Sequence, residues 1–198
     1  MKFNFADDIL LENNRVRIEA LKEDHLEKLY PISNENPSLL KFSPKQFGQR
    51  EQFIDYINKA LNERDKEISY PFAIYDKLMN EYAGSTRLAN ISIPDQRVEI
   101  GWTWLGSQFQ RSGLNRNCKF ILLEFLFEKM DFKRVELKTD SRNIQSRKAI
   151  EAIGAKFEGE LRSHTLMSDG FRRNTVYYSI LNHEWDNIKK EIFKNIEK

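Results

Sequence analysis

Several residue types and patterns are scarce or missing in this sequence, and each absence excludes a class of protein. Only one of the 198 residues is a cysteine, Cys118, so an intramolecular disulfide and a cysteine-rich metal site are excluded. No segment nears the ~20 apolar residues of a membrane span, and the N-terminus lacks an apolar run followed by a cleavage site. We therefore expect a soluble cytoplasmic protein with no membrane partner and no bound metal.

An excess of one charge and a linker-like composition are absent as well. The 32 lysines and arginines nearly balance the 30 aspartates and glutamates, and the net charge of +2 does not indicate a nucleic-acid partner. The chain has 8 glycines and 5 prolines, and no repeat or low-complexity tract divides it. Because 40% of the residues are hydrophobic, we expect residues 1–198 to form a single domain with a substantial core.

Hydrophobic periodicity predicts both helices and strands in the first half of the chain. Amphipathic helices are expected at residues 22–30 and 53–61, and the prolines between them predict a loop, namely Pro31, Pro37 and Pro44. Alternation with a period of two predicts strands at residues 16–20, 70–75, 82–91 and 97–105. The last three strands follow one another closely, so we expect them to be antiparallel neighbours.

The second half of the chain continues this mixture. Residues 120–127 are apolar on almost every face, which predicts a buried helix. Further elements are expected as a strand at residues 135–139, a helix at 145–153, and strands at 156–164 and 173–181. A last helix has an apolar stripe formed by Trp185, Ile188, Ile192 and Ile196. This stripe has to dock on the domain or on a second subunit, and it favours a homodimer.

The most informative segment joins the strand at residues 97–105 to the apolar helix, and it reads Gln110-Arg111-Ser112-Gly113-Leu114-Asn115. A glycine in a strand-to-helix turn lets the backbone approach a ligand closely. The unpaired N–H groups and the positive dipole end of the following helix then bind an anion such as a phosphate. A second junction of this kind, at residues 140–146, follows the next strand. Two such junctions in this order indicate an acyl-CoA enzyme.

The motifs at these junctions resemble those of the GNAT superfamily of acetyl-CoA-dependent N-acetyltransferases. They are Gln110-x-x-Gly113-x-Asn115, then Asn143-x-x-Ser146-x-x-Ala149 and Gly154. The resemblance covers residues 16–185 and is strongest to the Rim-type branch, which includes acetylators of ribosomal-protein N-termini. Stretches typical of that branch begin at Glu158-Gly159 and at Asp169-Gly170. Asn115 stands where the family usually has Gly or Ala, and we expect it to act as a helix N-cap whose side chain crowds the loop.

The resemblance implies an α+β fold, a single GNAT-like domain. Its mixed, mostly antiparallel central sheet has about seven strands flanked by helices. Two strands, here Arg97–Leu105 and residues 134–139, splay apart to form the cofactor cleft, and the branch is often dimeric. By the same resemblance, acetyl-CoA would be held by Trp104, Leu105, Gln110, Arg111, Ser112, Gly113, Leu114, Asn115, Arg116, Asn143 and Ser146.

The resemblance implies that these residues bind different parts of acetyl-CoA. The backbone amides of Trp104 and Leu105 would face the acetyl carbonyl, and those of residues 111–115 would bind the pyrophosphate. Asn143 would contact the pantetheine. Arg111, Arg116 or Lys119 would bind the outer phosphates.

Glu99 is the candidate general base. If Val98 and Ile100 face the core, strand alternation directs Glu99 to the opposite face, where an acceptor amine would enter. In several family members a catalytic glutamate lies on this strand, eleven residues before the loop, as Glu99 does before Gln110. An ordinary polar-face carboxylate is the other interpretation. Glu136 and His164 are the weaker candidates.

The family's usual general acid is absent from the sequence. Many family members have a tyrosine seven residues after the asparagine, and this chain has Ile150 there. Ser146 is the nearest substitute, although it could instead cap the helix that starts near it. A thiolate can also take its proton from water. Cys118 has no adjacent histidine, and we expect it to be a buried, unreactive thiol.

Three functions remain open from the sequence. The first is an N-acetyltransferase acting on a primary amine, either a protein N-terminus or a small molecule. The second is a catalytically weakened acyl-CoA-binding sensor or assembly module, which Asn115 and Ile150 favour. The third is a nucleic-acid binder using Arg142, Arg147 and Lys148, although these charges are more typical of a solvated helix face. The phosphate-binding motifs of dinucleotide and nucleotide folds are absent.

Overall fold

An eight-stranded sheet organises the fold in the computed structural model, which describes residues 3–47 and 49–196. Its strands run in the order β1-β2-β3-β4-β5-β6-β8-β7, and all neighbours are antiparallel except β5 and β6. The strands are β1 Leu10–Glu12, β2 Val16–Ala20, β3 Ser69–Asp76, β4 Glu81–Ser92, β5 Arg97–Leu105, β6 Arg134–Asp140, β7 Lys156–Leu166 and β8 Arg172–Leu181. The strand missed by the sequence patterns is β1, because three residues are too few to show an alternation.

Five α-helices flank the sheet in the described residues. They are α1 His25–Asn34, α2 Arg50–Asp65, α3 Leu114–Glu124, α4 Ile144–Glu151 and α5 Asn182–Glu191. A π-helical turn, Phe125–Lys129, continues α3. The prediction that Pro31 lies in the loop after the first helix is wrong, since it lies inside α1. Only three residues of α1 follow it, so the missing N–H weakens the last turn alone.

The sheet separates two apolar clusters. The larger cluster joins the apolar residues of β5, among them Val98 and Ile100, to the buried side of α3. The second cluster packs α1 and α2 against the other face, with Phe53, Ile57 and Trp104 at its centre. The expected burial of the α3 segment is therefore confirmed, and the two faces of β5 meet different helices.

The C-terminal stripe docks on its own domain. Trp185 and Ile188 are buried in the larger cluster, and Ile192 and Ile196 pack against it. Of the two docking partners left open by the sequence, the domain itself and a second subunit, the structure shows the first. A homodimer remains a prediction, but it no longer draws support from this stripe.

The predicted splay is present between β5 and β6. The two strands pair only at Arg97–Arg134, Val98–Val135 and Glu99–Glu136. Beyond these pairs β5 contains a bulge, because two steps along β4 match three steps along β5 near Trp102, whose φ is 49°. The bulge bends β5 away from β6 and leaves a gap between the two strands.

Close packing beside the bulge makes Gly84 of β4 sensitive to substitution. A Cβ built there would collide with the Trp104 carbonyl oxygen and come within 2.9 Å of its carbon. We expect Gly84→Ala to lower the free energy of unfolding by at least ~2 kcal/mol, because backbone atoms would have to move. Denaturant unfolding measures this change. Gly159→Ala is the matched control in β7, where a Cβ meets nothing within 4 Å. Equal stability of the two variants would contradict the prediction.

Candidate active site

The loop before α3 has the backbone geometry of an anion-binding turn. Gly113 is the N-cap residue with a φ of 86°, and a Cβ built on it would meet nothing within 4 Å. Arg111 also has a positive φ, 58°. The first backbone bond at this helix end runs from Asn117 N to Gly113 O, at 3.1 Å, so the amides before it are turned toward the loop. The prediction that Asn115 caps the helix is wrong, because it lies at the second helical position.

Side chains around the loop are partly committed to other contacts. The Ser112 hydroxyl donates to Phe109 O at 2.7 Å and is 3.5 Å from Arg15 Nη2. Arg15, which forms an ion pair with Asp76, was not predicted, since it lies in a turn far upstream in the sequence. Arg116 is exposed and donates to the Ile192 carbonyl.

The second junction lies beside the first. Gln145 Nε2 at the start of α4 donates to Gln110 Oε1 at 3.3 Å, so the N-termini of α3 and α4 flank the same gap. Asn143 is the N-cap of α4, and its Oδ1 accepts from Ser146 N at 3.1 Å. The capping interpretation of Ser146 is therefore wrong. Its half-buried hydroxyl bonds to none of the described residues, which leaves it available to a ligand.

Asp140 ends β6 at this junction and fixes the start of the loop. It is buried, and its carboxylate accepts from the Arg142 backbone N at 2.9 Å and from Arg142 Nη2 at 2.7 Å. Burial acts to raise the pKa of Asp140, but the hydrogen bonds from Arg142 outweigh it and hold the pKa below its ordinary value. This pair makes Arg142 a structural partner of the loop.

Trp104 and Leu105, the two residues expected to face the acetyl group, direct their backbone groups to opposite sides of β5. The Trp104 carbonyl is turned to β4, where it contacts Gly84. The Leu105 carbonyl accepts from Gln110 Nε2 at 3.1 Å, on the side of the gap. Because backbone groups alternate along a strand, the amide of Leu105 is better directed to the gap than that of Trp104.

Glu99 lies where strand alternation predicts. Val98 and Ile100 belong to the larger apolar cluster, while Glu99, which is 1% exposed, contacts polar groups on the other face. Its Oε2 accepts from Asn90 Nδ2 at 2.7 Å and pairs with Lys138 Nζ at 2.9 Å. Its Oε1 accepts no hydrogen bond from the described residues. One carboxylate oxygen is thus held in place, and the other is left for a substrate or a water molecule.

The sequence analysis missed Lys138 and Asn90. Lys138 lies between Leu137 and Thr139 in β6, so strand alternation already directs its side chain to the face opposite to theirs. Lys138 belongs to the splayed part of β6 and reaches across the gap to Glu99 on β5. Its ammonium lies 5.8 Å from the ring centres of both Trp102 and Tyr177. The Trp102 ring is exposed.

The two weaker base candidates are placed differently. Glu136 pairs with Arg134 at 2.8 Å and with Arg97 at 4.0 Å, at the closed end of the gap. His164 Nδ1 lies 3.1 Å from the Thr175 hydroxyl, and its ring packs edge-on against Tyr177. His164 therefore borders the face that carries Glu99, whereas Glu136 is held by two arginines.

The opposite side of β5 carries a second ionisable group. Lys119 of α3 is buried, and its Nζ donates to the Thr103 hydroxyl at 2.6 Å. Burial lowers the pKa of Lys119 to about 8. The neighbouring Cys118 is fully buried, and burial raises its pKa to about 11, which agrees with an unreactive thiol.

The described residues lack two features, a metal-binding cluster and a membrane-spanning helix. Within residues 3–47 and 49–196 no cluster of three or more histidine, cysteine or carboxylate side chains is arranged to hold a metal ion. In the same residues, no helix combines the length and the apolar character needed to cross a membrane.

Comparison with known proteins identifies the family. Residues 15–156 match the family model described as an acetyltransferase (GNAT) domain. A putative ribosomal N-acetyltransferase, YdaF of Bacillus subtilis (strain 168), is 31% identical over 106 residues, which are 54% of this chain and 57% of YdaF. The chain thus matches little more than half the length of that relative. Since the family model covers most of the chain, the protein belongs to the GNAT acetyltransferase family.

Solved structures agree with this assignment. A GCN5-related N-acetyltransferase from Brucella melitensis has a TM-score of 0.88 at 25% identity, over 96% of this chain and 86% of that one. The ribosomal-protein-S5-alanine acetyltransferase from Vibrio fischeri has a TM-score of 0.71 at 20% identity, over 90% and 99% of the two chains, which is a likeness of fold alone. The family and the fold inferred from the two junction motifs are confirmed.

The buried Lys119 predicts an unusual dependence of stability on pH. Below pH 8 the folded state carries a buried Lys119 ammonium. Between pH 8 and about pH 10.5, the ordinary pKa of lysine, the folded state has lost this proton and the unfolded state still keeps it. The free energy of unfolding therefore rises with pH in this range. We expect Lys119→Met to be more stable than the wild type at pH 7, by up to roughly 3 kcal/mol, with the difference shrinking toward pH 10. Denaturant unfolding across pH 7–10 tests this.

The matched control for this prediction is Lys189→Met. Lys189 pairs with Glu124 at 2.7 Å and with Glu128 at 2.6 Å, so its loss should lower stability at pH 7. A stability difference for Lys119→Met that stays constant with pH would mean that the ammonium is adequately solvated.

Proposed function

We propose that this protein moves an acetyl group from acetyl-CoA to a primary amine by direct attack in a ternary complex. The observation that carries the proposal is the gap between β5 and β6, because two helix N-termini and a buried carboxylate border it. Such a gap offers unpaired strand backbone to an extended chain and helix amides to its phosphates. An amine panel with N-terminal peptides and small amines, read by coenzyme A release, tests the activity.

The residues at the two junctions fit acetyl-CoA. The open space beside Gly113 lets phosphate oxygens approach the amides at the start of α3. Arg111 and Arg116 are exposed at the same helix end and supply positive charge. The unpartnered Ser146 hydroxyl faces the second junction. In addition, the Asn115 Oδ1 is buried without a partner, and a ligand N–H donor would satisfy it.

Glu99 is the proposed base. Acetyl-CoA supplies an activated acyl group, and the attacking amine must lose a proton as the new bond forms. Oε1 of Glu99 accepts that proton directly or through one water, while Asn90 and Lys138 hold Oε2. The amide of Leu105 donates to the carbonyl oxygen as negative charge develops on it. The Ser146 hydroxyl can donate a hydrogen bond to the sulfur.

The acceptor class remains a proposal at the level of a primary amine, either a protein N-terminus or a small molecule. The name of the relative YdaF, putative ribosomal N-acetyltransferase, supports the first of these. The exposed Trp102 ring, with the Lys138 ammonium 5.8 Å from its centre, is the surface at which we expect the acceptor to bind. Turnover with peptides but not with small amines would select between them.

An acyl-CoA-binding protein without catalysis is the alternative function. The unsatisfied Asn115 Oδ1 and the buried, apolar Ile150 favour it, since neither assists the chemistry. Acetyl-CoA would still raise the melting temperature of such a protein. No coenzyme A would be released with any amine.

Two further expectations from the sequence stay proposals. A homodimer is one, in line with the resemblance to the Rim-type branch. A cytoplasmic location is the other, and the single buried thiol of Cys118 is compatible with it.

The phosphate loop generates a binding prediction. We expect Gly113→Val to weaken acetyl-CoA binding at least tenfold, about 1.4 kcal/mol, because a branched side chain would fill the space that the pyrophosphate needs. Calorimetry measures the affinity. Gly170→Val is the matched control, since Gly170 also has a positive φ, 83°, and open space around its Cβ. Unchanged affinity in folded Gly113→Val would refute a pyrophosphate site at this loop.

The base generates a kinetic prediction. In Glu99→Gln the shape is kept but the proton acceptor is lost, so kcat should fall by roughly 10²–10⁴. Acetyl-CoA affinity should barely change. The wild-type rate should rise with pH as the base loses its proton, and in the variant this rise should be lost or shifted. Glu136→Gln, from the same row of the sheet, is the control and should turn over nearly as the wild type. A wild-type rate in Glu99→Gln would make Glu99 a structural residue, with His164 the next candidate.

A further inference from the structure

The second turn of α3 carries an ammonium group to which the reaction above assigns no role. Lys119 is 5% exposed, and its Nζ donates one hydrogen bond, to the Thr103 hydroxyl. An ammonium has three N–H donors. Among the described residues no carboxylate pairs with Lys119, and no other group accepts from it. A buried charge with unused donors is costly, and a ligand that accepts from them would remove part of that cost.

Thr103, the hydrogen-bond partner of Lys119, belongs to a strand that borders the gap, and its hydroxyl also lies 2.7 Å from the Thr86 hydroxyl of β4. Thr103 lies in the part of β5 that has no partner on β6, beyond the last pair at Glu99 and Glu136. Helix α3 packs on the face of β5 that carries Val98 and Ile100, so Lys119 approaches from that face. Glu99 lies on the opposite face. The carboxylate and the ammonium therefore flank the same strand from its two sides.

Acetyl transfer requires one proton transfer at the attacking amine and another at the departing sulfur. The attacking amine must lose a proton, and the sulfur must gain one or leave as a thiolate in a partly buried site. Ile150 is buried and apolar, so it cannot supply this proton. The Ser146 hydroxyl can form a hydrogen bond to the sulfur, but a serine hydroxyl is a far weaker acid than an ammonium.

We propose that Lys119 is a catalytic residue, the proton donor to the departing coenzyme A thiolate; this inference rests on the acetyl transfer proposed above. The amine nitrogen bonds to the acetyl carbonyl carbon and gives its proton to Glu99. The carbon–sulfur bond then breaks, its electron pair goes to sulfur, and sulfur takes a proton from Lys119 Nζ. Water returns a proton to Lys119 and takes one from Glu99, so atoms and charge balance.

The acidity of Lys119 suits this role. Burial lowers its pKa to about 8, close to the ~8.5 of an ordinary thiol, so the proton passes to sulfur with little change in free energy. Cys118 is the titratable neighbour on α3, and its raised pKa of about 11 keeps it protonated while Lys119 titrates. The ion pair of Glu99 and Lys138 lies on the other face of β5.

A binding comparison tests whether Lys119 faces the sulfur. Calorimetry at pH 8 compares coenzyme A with desulfo-coenzyme A, which lacks only the thiol. We expect the wild type to prefer coenzyme A by about tenfold, as a charge-assisted contact to sulfur implies. Lys119→Met should bind both compounds equally. Lys148→Met, which removes an exposed lysine from α4, should keep the wild-type preference.

A pH profile tests the proton transfer itself. Because the donor must be protonated, wild-type kcat should fall on the alkaline side as the pH passes about 8. Lys119→Met should have a lower kcat at neutral pH and no such fall. An alkaline fall that persists in the variant, with unchanged kcat, would overturn the proposal.

The outcomes separate this inference from the proposed function. If the wild type binds neither compound, the acetyl-CoA proposal fails, and this inference fails with it. If the wild type binds both equally, only the role of Lys119 is refuted. That second result needs no variant, so it decides the question even if Lys119→Met does not fold.

Discussion

The early end of the parallel contact between β5 and β6 is the constraint on which the candidate site depends. Three residue pairs hold the strands together, and the bulge at Trp102 then turns β5 away. If the pairing continued to Leu105, the strand backbone would be satisfied and no gap would exist. Because it stops at Glu99, the helices that follow the two strands begin on either side of an opening. The contact between Gln110 and Gln145 shows how close those two beginnings are.

Local sequence patterns predicted much of the fold, and their failures have physical reasons. The bounds of β5 agree with its alternation, because Val98 and Ile100 pack in the larger apolar cluster while Glu99 between them contacts polar groups. The N-cap of α3 was assigned to Asn115 from residue preference. In the structure the backbone at Gly113 adopts a positive φ that ends the turn two residues earlier. Preference for a residue type is a weaker constraint than the path the chain takes out of a bent strand.

The sequence predicted on which face of the sheet the candidate base lies, but not which side chains it contacts. Alternation correctly directs Glu99 away from the core, yet it gives no information on Lys138, its ion-pair partner on another strand. The bond between Lys119 and Thr103 joins residues 16 positions apart, and the contact of Arg15 with Ser112 joins residues 97 apart. Such pairs depend on how whole elements pack, and no periodicity within one element contains that information.

The two faces of β5 divide the chemistry of the proposed reaction. Polar partners hold one carboxylate oxygen of Glu99 and leave the other open to a proton from the substrate. On the other face, apolar packing around α3 makes the Lys119 ammonium ready to lose one. The apolar site of Lys119 favours the neutral amine that the transfer produces, whereas Lys138 and Asn90 bind the carboxylate form of Glu99, and water restores the starting protonation state of each. A single strand between them keeps the base and the acid from neutralising each other directly, while the gap lets one substrate reach both.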